Sequence, residues 1–209
     1  MPLTIPFLRF TQCPSLERLI AFERVSWPED EQASPAQLAD RLRSFPDGIF
    51  MLSAGGKDIA QFTCAPKSLG DLSQISSFAQ GRDLGVDLES KDLWGMNLVV
   101  RPEYQGMGYA PLILEHALRW AVDQGYRSLS GGGTCSGYAQ LLREGTVSSI
   151  TVYAQQGLNP VVRTFKKAAK NLGHSFESFD PIKNYWPEDV GSAGYGVMMR
   201  ITFANQKHN

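Results

Sequence analysis

Cysteine, histidine and net charge are all scarce in this chain of 209 residues. It contains three cysteines, three histidines, and 20 Lys and Arg against 21 Asp and Glu, which leaves a formal net charge of −1. The cysteines lie far apart without a Cys-x-x-Cys pair, which argues against a disulfide framework or a zinc knuckle and favours a reducing compartment. So little excess charge provides no global field to hold a nucleic acid or an anionic membrane.

Long apolar runs are also missing, and the beginning of the sequence gives no reason to expect a targeting leader. No run of 18 apolar residues occurs, which is about the minimum for a helix to cross a bilayer. The first six residues have neither a basic flank nor a small-residue cleavage site. We therefore expect a soluble, cytoplasmic protein without a membrane partner. The 43% of apolar residues is enough to bury the core of one domain, expected over residues 1–209.

Hydrophobic periodicity predicts the element order β, α, α, β, β, β, α, β, α, β, β, which is an α/β fold with a mixed sheet. Two segments show little periodicity. Residues 65–91 are expected to form a long connection or a ragged strand, and residues 134–158 an irregular insert that is longer than most loops within a domain. On the helix that follows Ala110, His116 projects away from the apolar stripe and is expected in solvent.

A glycine-containing loop follows the apolar strand at residues 93–100 and leads into a helix. Backbone N–H groups at a helix N-terminus have no intrahelical acceptors, and the helix dipole adds positive charge, so this turn suits phosphate groups. Gly106 and Gly108 have no Cβ to obstruct an anion. A P-loop is excluded because Asp58 follows the sole Gly-Lys pair, and a Rossmann turn because position 111 is proline and the unit lies mid-chain.

The remaining pattern is Gln-x-x-Gly-x-Ala at Gln105, Gly108 and Ala110, preceded by Val-x-Pro and followed by an amphipathic helix. It resembles the signature of the GNAT superfamily of acyl-CoA-dependent N-acetyltransferases. The resemblance is firm over residues 93–130 and fainter over 15–64, while residues 159–163 and 192–197 look like a little-characterised branch. It implies a GNAT-like fold: a central mixed, mostly antiparallel twisted sheet flanked by helices, with acyl-CoA held at the turn between strand four and helix three.

The resemblance also implies how coenzyme A binds. Its pyrophosphate would contact backbone amides of the loop, and its pantetheine arm would pair with the main chain of Leu98 and Val100. Asn159 matches a position that often contacts the cofactor in the family, although a plain helix N-cap explains it as well. Acetyl-CoA is the expected acyl donor, an amine the acceptor, and no metal is expected. Whether the chain forms a homodimer is left open. The loop residues are Gln105, Gly106, Met107, Gly108, Tyr109 and Ala110.

Acyl transfer to an amine requires two proton movements. An alkylamine with a pKa near about 10.4 is protonated at neutral pH, so a base or a water chain must expose its lone pair. The leaving thiolate then needs a proton. Members of the family often use a carboxylate on strand four and a tyrosine on the fourth helix. This sequence has no carboxylate between Asp92 and Glu103, and it has Lys166 where that tyrosine would fall.

Other residues are therefore considered for catalysis. Asn97 is the candidate to orient a water or to polarise the acyl oxygen, and the alternative is that it satisfies neighbouring backbone groups. Tyr138 is the preferred proton donor, with Tyr153 and Tyr185 as close alternatives, and all three could simply pack. Cys135 could accept the acyl group as a nucleophile, but the more common role of such a residue is that of a small buried hydrophobe.

The acceptor is expected between the N-terminal helices and the irregular segment. Trp27 and Trp94 are the substrate-binding candidates, and acidic residues at 29–31 would attract a cationic amine unless they only form a solvated turn. The resulting prediction is an N-acetyltransferase in which the amine attacks acetyl-CoA directly within a ternary complex. The alternative, favoured by the missing carboxylate and tyrosine, is a non-catalytic acyl-CoA-binding sensor or scaffold.

Overall fold

The computed structural model describes residues 7–27, 29, 32–83 and 85–204, and within them seven strands form a mixed sheet of an α/β fold with flanking helices. Two compact units divide the chain, residues 1–65 with 96–119 and residues 66–95 with 120–209. The strands are β1 (Leu8–Gln12), β2 (Ile49–Ala54), β3 (Lys57–Pro66), β4 (Asp92–Val100), β5 (Ser128–Thr134), β6 (Ser175–Ser178) and β7 (Gly196–Thr202). The helices are α1 (Leu16–Ser26), α2 (Pro35–Ser44), α3 (Phe78–Asp83), α4 (Tyr109–Asp123), α5 (Tyr138–Arg143), α6 (Ile150–Gln155) and α7 (Pro160–Asn171).

In the first unit, β1, β2 and β3 pair antiparallel in that order. The predicted hairpin between β2 and β3 is confirmed, because Gly55 and Gly56 adopt φ values of +57° and +82° at its tip. Glycine reaches this left-handed region without the steric cost that a Cβ would bring.

Helices α1 and α2 begin where the sequence predicts. Ser15 caps α1, and Ser34 with Gln37 forms a complete capping box at the start of α2, so otherwise unpaired N–H groups of each first turn are satisfied. The apolar residues of both helices pack with β2 and the end of β4 in one buried cluster, which contains Leu19, Phe22, Leu38, Ile49, Met51 and Val99. One face of the first unit is thereby covered.

The ring of His116 on α4 is packed rather than solvated, so that prediction is wrong. It stacks on Phe10 with ring centroids 4.1 Å apart and meets the edge of Phe50 at 5.9 Å. Phe50 lies between Ile49 and Met51 and therefore faces the opposite side of β2. Burial, with a smaller contribution from Arg119, lowers the pKa of His116. An imidazole can pack as an aromatic ring when it is neutral, and the helical pattern alone does not reveal this.

In the second unit the strand order is β4-β5-β7-β6. The first half of β4 runs parallel to β5 from Asp92↔Ser128 to Gly95↔Gly131, and the pairs β5–β7 and β6–β7 are antiparallel. Both segments expected to lack regular structure contain helices: α3 lies within 65–91, and α5 and α6 lie within 134–158. Each has six residues, which is too short for a 3.6-residue apolar period to be recognised in the sequence.

Candidate functional site

The loop after β4 ends in the predicted helix N-terminus. A short 3₁₀ turn at Pro102–Tyr104 precedes it, and the residues from 105 to 108 are exposed, with Met107 at 63% exposure. Gly106 and Gly108 adopt φ values of +75° and +86°, and a Cβ built on either would meet no heavy atom within 4 Å. These positions require glycine for their backbone conformation, and the space above them is open.

Five consecutive backbone N–H groups in this loop, at residues 106–110, have no hydrogen-bond acceptor within the described part of the chain. The first helical bond runs from Leu112 N to Gly108 O at 3.4 Å, which makes Gly108 the N-cap of α4. Pro111 has no N–H, so it adds no donor to the set. The exposed donors, together with the positive end of the helix dipole, form a site for an anion.

The loop is held in place by side chains of its own unit. Gln105 Nε2 donates to the carbonyl oxygen of Val100 at 3.0 Å, which ties the loop back to the end of β4. Lys57 Nζ lies 2.8 Å from a carboxylate oxygen of Glu103 and 5.4 Å from the ring centroid of Tyr104. The Gln side chain of the signature therefore positions the loop, while the exposed hydrogen-bond donors of the loop are main-chain N–H groups.

The middle of β4 is more exposed than its ends. Leu93, Trp94, Val99 and Val100 are buried, whereas the residues from Gly95 to Leu98 are half-buried. Asn97 lies in this stretch, and its Oδ1 atom is shielded from solvent without a hydrogen-bond partner among the described residues. A buried acceptor without a donor is costly, so a donor brought to this oxygen would be favourable. The predicted pantetheine contacts at Leu98 and Val100 lie on the same strand.

Helix α1 carries a buried carboxylate that the sequence did not single out. Glu23 is 4% exposed, and its Oε1 accepts a hydrogen bond from Ala33 N at 2.7 Å, which fixes the connection to α2. Its Oε2 has no partner among the described residues. Burial raises the pKa of this carboxyl. Because Glu23 is charged, its residue type favours exposure to solvent. The only sequence signal for burial is that apolar residues lie in the helical turns before and after it.

The two substrate-binding candidates lie in different settings. Trp27 is half-buried at the C-cap of α1, borders the cluster of α1 and α2, and accepts a hydrogen bond from Gln32 through its carbonyl. Trp94 is buried, and its ring packs so closely on Gly81 of α3 that a Cβ there would lie 2.5 Å from it. Of the acidic residues at 29–31, those at 30 and 31 lie outside the described residues. Substrate contact stays a prediction for both tryptophans.

Asn159 lies in the second unit as the N-cap of α7. Its Oδ1 accepts hydrogen bonds from Val161 N and Val162 N, and its Nδ2 donates to Thr134 O at 3.3 Å. The side chain is 4% exposed. These contacts join the start of α7 to the end of β5, and a direct cofactor contact stays a prediction.

Tyr138 belongs to a buried aromatic cluster in the second unit. Its ring meets those of Tyr153 and Tyr195 edge-on, at 5.5 and 5.6 Å between centroids. Burial, with smaller contributions from Tyr195 and Cys135, raises the pKa of Tyr138, while the backbone of Ile150 acts in the opposite direction. Its role as proton donor stays a prediction.

Two neighbours in this cluster have simpler roles. Tyr153 donates its hydroxyl proton to Ser136 O at 2.8 Å. Cys135 is 1% exposed, and burial raises the pKa of its thiol to about 11. A thiol with that pKa is protonated at neutral pH, so the nucleophilic alternative has no support in this geometry.

The described residues contain no cluster of three or more His, Cys, Asp or Glu side chains placed to hold a metal ion. Every helix among them falls short of the length and hydropathy that a bilayer crossing requires.

Comparisons with a family model and with a curated relative identify the same family. A sequence model of the acetyltransferase (GNAT) family matches residues 16–135, which is more than half of the chain. The uncharacterized N-acetyltransferase YkwB of Bacillus subtilis (strain 168) is 23% identical over 194 residues, which cover 88% of this chain and 83% of that protein.

Solved structures share the fold. The GphF GNAT-like decarboxylase in complex with isobutyryl-CoA superposes with a TM-score of 0.73 at 23% identity, covering 94% of this chain and 98% of that one. The diaminobutyrate acetyltransferase EctA of Paenibacillus lautus, in complex with L-2,4-diaminobutyric acid and coenzyme A, superposes with a TM-score of 0.57 at 10% identity, covering 96% and 99%.

Proposed function

The chain belongs to the acetyltransferase (GNAT) family, and from this premise we propose that it transfers an acetyl group from acetyl-CoA to a primary amine of a small molecule or peptide. The amine attacks the thioester directly while both substrates are bound. The observation that carries the proposal is the run of five backbone N–H groups at residues 106–110 that have no acceptor among the described residues, where β4 leads into α4. A pyrophosphate is an anion suited to such a site.

In this proposal coenzyme A is bound mainly by main chain. The pyrophosphate accepts hydrogen bonds from the amides between Gln105 and Ala110, and the pantetheine arm pairs with Leu98 and Val100. The carbonyl of Val100 already accepts one bond from Gln105 and retains a second lone pair. Asn159 remains the sequence-based candidate for a further contact with the cofactor. Structural neighbours in complex with isobutyryl-CoA and with coenzyme A are consistent with this assignment.

The reaction forms a C–N bond and breaks a C–S bond. The ammonium must first lose a proton, and the thiolate must later gain one. Asn97 contributes on the side of the amine in this proposal, because its unpartnered atom is the acceptor oxygen. An acceptor can orient an amine N–H or a water, whereas polarising the acyl oxygen would require a donor. Tyr138 remains the sequence-based candidate for protonating the thiolate.

The acceptor would bind beside helix α1. Trp27 offers an aromatic face to a cationic amine, and the buried carboxyl of Glu23, whose Oε2 has no partner among the described residues, lies one helical turn before it. Both residues belong to the first unit and border the connection between α1 and α2. In the neighbouring structure of EctA the substrate is a diamine, which is consistent with an amine acceptor here.

The test is release of free thiol from acetyl-CoA over a panel of amines, polyamines, amino acids and peptides. We expect release that depends on one class of amine, with the acetylated product confirmed by mass spectrometry. Calorimetry with coenzyme A serves as the control for a folded, binding-competent chain. Tight binding with no amine-dependent release would contradict the transferase and support the sensor or scaffold.

A second candidate is decarboxylation of a carboxyacyl-CoA. It is favoured by the GphF neighbour and by the lack of a carboxylate on β4 after Asp92, since this reaction needs no base for an amine. The C–C bond to the carboxylate breaks, CO₂ leaves, and the electron pair forms a thioester enolate that takes a proton at carbon. Release of CO₂ from malonyl-CoA without any amine would favour this reaction over acetyl transfer.

A further inference from the structure

Buried polar atoms without a hydrogen-bond partner are concentrated in the first unit. Among the described residues, six side-chain atoms are shielded from solvent and unpartnered, and all six belong to that unit. Such atoms are costly, and native proteins usually satisfy them with protein groups, ordered water or a bound group. Their concentration in one unit therefore indicates a common partner. The atoms are Thr11 Oγ1, Glu23 Oε2, Ser26 Oγ, Gln61 Oε1, Asn97 Oδ1 and Arg101 Nε.

The atoms on β1 and β3 face the helices α1 and α2. Met51 of β2 lies opposite Thr11 of β1 on one side and opposite Gln61 of β3 on the other, so the three side chains form one row on one face of the sheet. Met51 belongs to the buried cluster of α1 and α2, which identifies that face. Gln61 is 1% exposed, and its Nε2 donates to Thr63 Oγ1 at 3.1 Å. The Oε1 atom of Gln61 is therefore held beneath the helices without a donor among the described residues.

Helix α1 presents its own unpartnered atoms to this face. Glu23 and Ser26 lie four and seven residues after Leu19, which places them beside the apolar stripe of the helix. That stripe contains Leu19 and Phe22 of the buried cluster. The guanidinium of Arg101, just after β4, reaches the same stripe, because its central carbon lies 5.6 Å from the ring centroid of Phe22. Unpartnered atoms of the helix and of the strands thus meet between α1 and the sheet.

Asn97 on β4 completes this polar layer of six residues. It lies two residues before Val99 of the buried cluster, so its side chain faces the helices as well. The unpartnered atoms of Asn97, Gln61 and an ionised Glu23 can only accept hydrogen bonds. The Nε of Arg101 can only donate, and the two hydroxyls can do either. A group with several donors and no acceptor, such as a primary ammonium, suits the polar layer better than a carboxylate.

Charge also favours a cation in the polar layer. Glu23 is the only carboxyl among its six residues, and it is 4% exposed. Burial raises the pKa of Glu23, while the charge of Arg41 acts in the opposite direction without outweighing burial. Arg101 interacts electrostatically with Asp58 and Glu103, so its positive charge is already opposed. An ammonium beside Glu23 would stabilise the ionised carboxylate.

We propose that the polar layer binds a second ammonium group of the acceptor, so that the acceptor is a diamine or a polyamine. This rests on the proposed acyl transfer to an amine. Glu23 and Gln61 accept hydrogen bonds from the distant ammonium, and Asn97 accepts one from the nitrogen that attacks the thioester. The second ammonium keeps its proton throughout, so it holds the substrate without taking part in the reaction.

Binding of short amines tests the cation site without any turnover. Propane-1,3-diamine, butane-1,4-diamine and pentane-1,5-diamine are each compared by calorimetry with the monoamine of the same chain length. We expect at least one diamine to bind the wild type roughly ten- to a hundredfold more tightly than its monoamine, which is the range for one hydrogen bond to a charged group. If no diamine were preferred, the proposal would be overturned.

Three variants identify the groups responsible. Glu23→Gln removes the charge and keeps the oxygen that accepts from Ala33 N, and it should lose the preference for the diamine. Gln61→Met replaces the amide by an apolar chain of similar size and should lose part of that preference. The control Glu17→Gln removes an exposed carboxylate of the same helix and should keep it. A preference retained in Glu23→Gln, or lost equally in Glu17→Gln, would overturn the proposal.

The thiol-release assay separates this proposal from the acyl transfer on which it rests. With acetyl-CoA present, the preferred diamine should show a lower KM than its monoamine. A binding preference without thiol release from either amine would overturn the acyl transfer and leave the cation site standing. Thiol release at equal KM from both amines would overturn the cation site and leave the acyl transfer standing.

Discussion

Replacing Gly108 by alanine tests the coenzyme loop, and Gly125 offers a matched control. Gly108 precedes α4 with φ +86°, and Gly125 follows it with φ +77°. At both positions a Cβ would meet no heavy atom within 4 Å. The two substitutions therefore impose similar backbone strain without a clash, but only Gly108 carries one of the five unpaired N–H groups.

The expected magnitudes separate stability from binding. A left-handed conformation costs a residue with a Cβ roughly 1–2 kcal/mol. For a chain of this size each kcal/mol lowers Tm by about 2–4 °C, so both variants should lose roughly 2–8 °C. Alanine keeps the N–H of residue 108, but its Cβ enters the open space in which the pyrophosphate would lie and so displaces that anion from the amide. A hydrogen bond to a charged group contributes about 1.5–3 kcal/mol, so displacement from one amide weakens binding roughly ten- to hundredfold.

Thermal melts and calorimetric titration with coenzyme A provide the measurements. We expect equal Tm losses, with weakened coenzyme binding in Gly108→Ala and near wild-type binding in Gly125→Ala. Pantetheine, which lacks the pyrophosphate, should bind both variants alike. If Gly108→Ala bound coenzyme A as tightly as the wild type, the loop would not hold the pyrophosphate. If both variants lost affinity equally, the cause would be general strain.

Three other measurements test particular side chains. Lowering the pH from about 7 to about 5 should reduce the Tm of the wild type more than that of His116→Phe. Burial lowers the pKa of His116 below its unfolded value of about 6.5, so the stability that the neutral ring contributes is lost as the pH falls. An equal dependence of Tm on pH in both chains would contradict this. Glu23→Gln should raise the Tm at about pH 7 but not below about pH 4. Burial raises the pKa of this carboxyl, so the cost of ionising it in the folded chain appears as the pH rises above the unfolded pKa of about 4.3. A lower Tm of the variant at neutral pH would show that the charge stabilises the fold. Iodoacetamide should modify exposed Cys13 and spare Cys135, whose pKa is raised to about 11; peptide mass spectrometry showing equal modification would contradict the burial of Cys135.

Features with a local cause could be predicted from the sequence. The capping box of Ser34, the Gly-Gly hairpin and the loop at residues 105–110 each depend on a few adjacent residues, and the structure has all three. The helices α3, α5 and α6 could not be predicted, because six residues do not establish a period. The ring packing of half-buried His116 and the burial of Glu23 were missed because they depend on partners, such as Phe10, that are distant in the sequence.

The same distinction explains why the cofactor loop has a recognisable signature and the proton chemistry does not. Main-chain N–H groups bind the pyrophosphate in our proposal, so the sequence there only has to specify conformation, which Gly108 does with its positive φ. A proton donor needs one hydroxyl at one point, and any distant segment can supply it. A close approach can still leave a trace on the receiving strand: a Cβ on Gly132 would lie 1.8 Å from the Tyr185 hydroxyl oxygen, so that position excludes a side chain. A glycine inside a strand is unfavourable by itself, so an uninterrupted run of them indicates close approach by other groups. Such a run should therefore be examined for the group that fills it before the nearest tyrosine in the sequence is assigned a chemical role.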